Sequence, residues 1–401
     1  MRSICMYFQV HQPVQLRKYR FFDIGDSNYY YDDYQNKHTV KRLSENCYIP
    51  ANEIIKALIA QYPERFNVAF SMSGVAVEQF QKYAPEVIES FKELAQTGNV
   101  EFLSETYAQS LLSLGDISEF ERQVKAHSSL IKEVFGQQPV TFRNTELIYS
   151  NNIAEKVQEM GFKNMITEGA KQTLGWKSPN HVYKSSVAPE LNLLLRNYRL
   201  SDDISFRFSQ QNWSEWPLTA EKYVEWINNS DENEPILNLF MDYESFGEYN
   251  KEDSGIFEFL RSFPEMLIDT GKWEFGKPSR ITEVHKAVGE IDVPYVISWA
   301  DEEKDITAWL GNDMQQQVFQ SLNKVAPIMA TCTDKILLRD WNYLQASDNF
   351  YFMSTKWFSH VAVQHYRNPY ASPYEAFLNY MNIISDFLIR VKEYAENTVK
   401  A

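Results

Sequence analysis

A chain of 401 residues with 39 basic and 54 acidic side chains carries a formal net charge of −15, which excludes the basic footprint of a nucleic-acid binder. Its 44% apolar and 23% charged residues are the profile of a soluble globular protein. No apolar run approaches the roughly 18 residues of a membrane span. Read for hydrophobic period, short apolar runs then alternate with helical stretches. Ser3–Val10 predicts the first strand, Ala51–Gln61 a helix and Phe66–Met72 the second strand. A helix over Ala76–Gln96, closed by Thr97-Gly98, leads to a third strand, Val100–Leu103. The long helix Ile117–Phe135 ends at Gly136 and precedes a fourth strand, Val140–Arg143. Helix Asn152–Met160 leads to a fifth strand, Lys163–Thr167, and Leu191–Arg196 is a sixth. Helix Glu221–Ile227, a seventh strand, Ile236–Met241, and helix Gly255–Asp269 follow. This alternation argues for a parallel sheet with crossovers. Seven or eight units in about 290 residues argue for a barrel over an open sheet.

The pattern changes from about Asp313. Asp313–Val325, Lys335–Leu344, Phe352–Gln364 and Pro373–Glu396 read as helices without strands between them. We therefore expect an α/β barrel over residues 1–290 and an α-helical bundle over residues 291–401. Three cysteines, Cys5, Cys47 and Cys332, form an odd, sparse set, and the start has no secretory pattern. Both features predict reduced thiols in a cytoplasmic protein. The tyrosine-rich stretch Tyr29–Tyr34 sits in a long connection and reads as an excursion over the barrel mouth.

Working residues of such a barrel lie just beyond the carboxyl ends of its strands. His11-Gln12-Pro13 follows the first strand, Glu101 and Glu105 lie on and after the third, Arg143-Asn144-Thr145-Glu146 ends the fourth, and Asp242 to Gly247 follows the seventh. Glu146 and Asp242 form the sharpest pair. Glycoside hydrolysis needs two carboxyl groups flanking an acetal, one to protonate the leaving oxygen and one to attack C1 or activate water. Either acid alone would read as a helix cap or turn former. Arg143 suits holding a carboxylate ionised; a barrel salt bridge is its blander reading. His11 suits a sugar hydroxyl or a carboxylate, against the alternative of a satisfied core histidine. For Tyr29–Tyr34, Trp213, Trp216, Trp299 and Trp309, core packing competes with stacking on a pyranose.

Other chemistries find less support. There is no His-Glu-x-x-His, Cys-x-x-Cys or His-x-His, and His360 and His365 are five residues apart, off one helical face. Gly271 to Pro278 imitates a phosphate loop, but Pro278 stands where a hydroxyl residue is needed. No Gly-x-Ser-x-Gly is present.

Taken together, these residues resemble glycoside hydrolase family 57, in its short α-amylase-type members. His11-Gln12-Pro13 is similar to the first family signature, and Gly98-Asn99-Val100-Glu101-Phe102 to the second, with Glu101 in the glutamate position. Phe142 to Tyr149 resembles the third, in which the glutamate is the nucleophile; Phe240 to Gly247 resembles the fourth, in which the first aspartate is the general acid/base. Ala308 to Asn312 and Ser347 to Phe350 resemble the last, which lends a substrate-binding aspartate. One departure is Gln109, where relatives often carry histidine.

The resemblance implies a distorted (β/α)7 barrel followed by a helical bundle that completes the cleft, with no cofactor and no metal. It implies a retaining mechanism on α-1,4-glucans or maltooligosaccharides: Glu146 is the nucleophile, and Asp242, protonated at the outset, is the general acid/base. The carboxyl separation expected is roughly 5–5.5 Å. His11, Gln12, Glu101, Arg143, Trp309 and Asp348 are the expected substrate contacts. The alternatives are 4-α-glucanotransferase or branching activity through the same intermediate, a metal-dependent barrel deacetylase, and a non-catalytic glucan-binding homologue. Oligomeric state has no signal in the sequence.

Overall fold

The computed structural model describes residues 1–356 and 368–400. Its strands are β1 (Arg2–Val10), β2 (Val68–Met72), β3 (Val100–Phe102), β4 (Thr141–Arg143), β5 (Asn164–Glu168), β6 (Val182–Ser185), β7 (Asn192–Arg196), β8 (Ile236–Asp242), β9 (Trp273–Phe275) and β10 (Glu290–Ile291). They pair in two sets, β3-β2-β1-β8 and β4-β5-β7 with β6 and β10 beyond. A parallel bridge from Ser104 to Phe142 joins the sets on one side. On the other side Asn197 N donates to Asn238 O at 2.9 Å. The result is a (β/α)7 barrel of parallel strands β1, β2, β3, β4, β5, β7 and β8. These are the seven runs read from the sequence.

Three strands are additions. β6 returns antiparallel to β7, β10 pairs with β6, and β9 lies beside the first residues of β1. All are short, and β9 is the segment that imitates a phosphate loop. The division expected at 290/291 falls inside β10. The helix expected over Ala76–Gln96 is two helices, Gly74–Tyr83 and Pro85–Gln96. Pro85 has no N–H to continue the first and starts the second.

Alternation along β1 sorts its side chains. Ile4, Met6, Phe8 and Val10 face helices in one large apolar core, while Cys5 and Tyr7 face the barrel interior with Leu103, Leu147, Ile166, Leu194 and Phe240. A second large core packs β4, β5 and β7 against helix Ile117–Phe135 and the carboxyl-terminal helices, where Trp341, Ile384 and Phe387 are buried. Those helices are Asp313–Asn323, Lys335–Leu344 and Pro373–Lys400. Part of the helix expected over Phe352–Gln364 lies outside the described residues.

The tyrosine stretch divides: Tyr29 and Tyr34 are exposed, and the two tyrosines between them are not. Tyr30 and Tyr31 are buried, and their hydroxyls donate to Asp386 at 2.5 Å and Asp340 at 2.6 Å on the carboxyl-terminal helices. Arg390 closes this network onto Tyr30 and Asp340. The stretch leads into helix Asp33–Leu43, whose polar sequence gave no apolar period to read.

Candidate active site

Glu146 follows β4 on a tight turn. Asn144 Nδ2 donates to Ile148 O and Ser113 Oγ, both at 2.9 Å. Glu146 and Leu147 take left-handed backbone, with φ of 56° and 50°, a cost of about 1–3 kcal/mol per residue that surrounding contacts must offset. The turn carries the Glu146 carboxylate onto two good donors. Trp299 Nε1 reaches Oε2 at 2.7 Å, and Ser347 Oγ reaches Oε1 at 2.9 Å. Gln109 Nε2 adds a longer contact at 3.4 Å. Burial pushes this carboxyl above its ordinary value; Arg143, Trp299 and Ser347 act against that shift and Asp348 acts with it.

Arg143, at the end of β4, has no solvent exposure. Its guanidinium donates to Glu105 Oε2 at 3.0 Å, to Gln109 Oε1 at 3.3 Å and to Gln9 Oε1. Gln9 in turn donates to Gln109 Oε1 at 2.5 Å. Burial raises the Glu105 carboxyl, opposed by Arg143 and by His127. The same burial lowers the His127 imidazole.

Asp242 ends β8, in register with Gln9 of β1. It is partly exposed and accepts from Tyr249 Oη at 2.8 Å. It lines a cleft of about 340 Å³ whose walls include Arg196, Asp202, Trp299, Trp309 and Tyr351. Arg196 bonds Glu168 at 3.2 Å and Asp202 at 2.5 Å, and accordingly braces that wall. A larger cavity, of about 840 Å³, opens at the other end of the strands beside Val140, Lys163 and Asn192; none of the strand-end residues reaches it.

The other expected contacts divide. His11 is fully buried, with Nδ1 2.7 Å from Ser73 Oγ and Nε2 3.0 Å from Asp348 Oδ2. It thus sits with Asp348 beside the Glu146 group. Gln12 points elsewhere, donating to Glu244 at 2.8 Å and to Tyr48 at 3.1 Å. Trp309 is a core residue that still reaches the cleft wall. Glu101 is not brought to this group. Mid-strand on β3, it accepts from Thr141 Oγ1 at 2.5 Å and from Ser279 N and Oγ at 3.0 and 2.7 Å. Its oxygens are engaged one layer below the mouth, where they tie β3 to β4 and to helix Pro278–Val284. Glu105, four residues on, is the acid at the mouth.

Sequence reading missed the supporting groups: Gln9, Ser347, Tyr249 and the bond from Trp299 to Glu146. Ser347 adjoins Asp348, and Gln109 stood out as a departure, but nothing local marked Trp299 or Tyr249 as partners of a carboxylate. Among the described residues no cluster of three or more His, Cys, Asp or Glu has metal-binding geometry. No helix among the described residues is long and apolar enough to cross a membrane.

Carboxylates gathered beyond the strand ends of a β/α barrel, with appended helices walling the cleft, are the layout of a barrel enzyme. Comparison with known proteins narrows the class. The model of Glycosyl hydrolase family 57 matches residues 5–294, and the chain belongs to that family. Over 97% of its length it is 40% identical to a Methanocaldococcus jannaschii protein named "Putative alpha-amylase", covering 85% of that protein. The branching enzyme of Thermococcus kodakaraensis superposes with a TM-score of 0.70 at 13% identity, covering 96% of this chain and 89% of that one. The 4-alpha-glucanotransferase of Thermococcus litoralis gives 0.68 at 14% identity over 87% of this chain, which spans 56% of the transferase. At those identities the likeness is one of fold.

Proposed function

We propose that this glycoside hydrolase is a retaining enzyme of α-1,4-glucans, with Glu146 as nucleophile and Asp242 as general acid/base. One observation carries the reading. Asp242 is in register with Gln9, Gln9 accepts from Arg143, and the charges of Glu146 and Asp242 both bear on the buried Arg143 guanidinium, so two carboxylates from different strands gather around one cation. In the first step Glu146 attacks C1 while Asp242 gives its proton to the leaving glycosidic oxygen. In the second, Asp242 takes a proton from water, which attacks C1 and releases Glu146. In this reading Asp348, held by His11, meets sugar hydroxyls, and Trp309 backs the cleft wall that the sugar meets. Arg143 and Gln12 act from behind these groups.

The test has two parts. A 5-fluoro-glucosyl fluoride should label Glu146, located by peptide mass; a label on another residue, or none, refutes the assignment. Incubation with maltoheptaose should yield only shorter products. Products longer than the substrate would instead establish transfer to sugar acceptors, and no turnover on any α-glucan would establish a binding protein.

A further inference from the structure

We infer that Trp299 is a positioning residue that both aims the Glu146 carboxylate and favours its ionised form, with Lys304 holding Trp299 in place. This inference rests on the reading of Glu146 as nucleophile. Trp299 joins the catalytic turn at two points. Its backbone N donates to Glu146 O at 3.1 Å, and its indole Nε1 donates to Glu146 Oε2 at 2.7 Å. The first contact extends a short antiparallel ladder in which Tyr149 and Ile297 exchange bonds of 3.0 and 2.9 Å. The turn bearing Glu146 and the segment bearing Trp299 are therefore tied together by backbone and side chain alike.

The indole itself is confined. The guanidinium of Arg143 lies 5.5 Å from its ring and that of Arg196 lies 5.7 Å away, within reach of the attraction between a cation and an aromatic face. Behind it the chain closes on itself. Lys304 Nζ donates to Trp299 O at 3.0 Å, and Ser298 N donates to Lys304 O at 3.0 Å. Lys304 is buried and lies 3.4 Å from Glu168 Oε2. Asp301 and Lys304 take left-handed backbone to make this closure.

The chemistry of the donor gives the arrangement its direction. An indole N–H donates and cannot accept. It therefore stabilises a carboxylate and offers nothing to the proton of a carboxylic acid. Gln109 works in the same sense: its Oε1 is occupied by Gln9 and Arg143, so its Nε2 is the end that faces Glu146. These fixed donors oppose the effect of burial, which favours the protonated acid. A nucleophile must be ionised before it can attack C1.

Trp299→Phe tests this in the full-length enzyme, because it keeps an aromatic ring and removes the N–H. We expect kcat on maltoheptaose to fall roughly 10- to 100-fold, the loss of one hydrogen bond to a charged acceptor, with KM little changed. The acid limb of the kcat/KM profile should move to higher pH, since losing a donor favours the protonated nucleophile. Lys304→Met leaves the indole intact, and should give a smaller fall in kcat with a limb shift of the same sign. An unmoved limb with kcat within about twofold of wild type overturns the inference. So does a loss confined to KM, which would make Trp299 a sugar platform. Fluoroglucoside labelling of the wild type separates the two claims: labelling at Glu146 with an unmoved limb in both variants refutes only the role of Trp299, whereas labelling elsewhere refutes the nucleophile.

Discussion

Arg143→Met removes one partner of a buried ion pair while keeping much of the side-chain volume. Arg143 and Glu105 have no exposed side-chain surface and meet at 3.0 Å. Without the guanidinium, Glu105 is left charged and buried, and among the described residues the ion pair that remains is to His127, 4.0 Å away and itself driven towards neutrality by burial. Breaking such a pair costs about 3–5 kcal/mol. Unfolding entropy of roughly 2.1 cal/mol/K per residue over 401 residues comes to about 0.8 kcal/mol/K, so Tm should fall by about 4–6 °C. Calorimetry at neutral pH on Arg143→Met, Glu105→Gln and the double variant checks this. The double variant should be more stable than Arg143→Met alone, because its remaining group is neutral. The deficit of Arg143→Met should also shrink in acid, where Glu105 takes up a proton. A loss below about 1 kcal/mol, or a double variant no better than the single, would refute the view that Arg143 is needed as a buried countercharge.

Burial holds the folded-state pKa of Glu146 above its unfolded value. Its contribution to stability is therefore fully present below the ordinary carboxyl range and is lost as pH rises through the folded-state pKa. Glu146→Gln should melt with wild type at or below about pH 4 and above it at alkaline pH; thermal scans showing the reverse order would contradict the burial argument. Ser347→Ala removes the other good donor and should lower kcat by roughly tenfold or more with little change in KM; steady-state rates within about twofold would show that this bond is dispensable. Gly247→Ala should destabilise by roughly 3 kcal/mol or more, since φ is 106° and a Cβ there would lie 1.9 Å from Asn46 O; a shift under about 1 kcal/mol in urea unfolding would mean the turn relaxes.

The seven barrel strands were legible because each is an apolar run bounded by helix or turn signals. β6, β9 and β10 were not: β6 and β10 are broken by polar residues, and β9 lies in the segment weighed as a phosphate-loop imitation. Helix Asp33–Leu43 was missed for a related reason: only Asn36, Val40 and Leu43 of its residues are buried, so its face is too narrow to show a period. At the site, Glu146 and Asp242 stood out by position after strands. For Glu101 the motif gave a position on β3 but not its bonds to Thr141 and Ser279. The partners of Glu146 come from residues 109, 299 and 347. Such contacts are fixed by how distant segments pack, and no local spacing encodes them.

The division of the barrel into two strand sets has a consequence for engineering. Glu146 stands on the set backed by the second core, and Asp242 on the set backed by the first. The gap between the two carboxylates is therefore a property of the join, filled by the small interior group of Tyr7, Leu103, Leu147, Ile166, Leu194 and Phe240. Enlarging or shrinking a side chain there is expected to change the spacing of the two acids from inside the barrel. Directed evolution of this scaffold would then find mutations in the barrel axis that alter turnover at unchanged substrate affinity, while libraries restricted to the cleft would leave that adjustment unexplored.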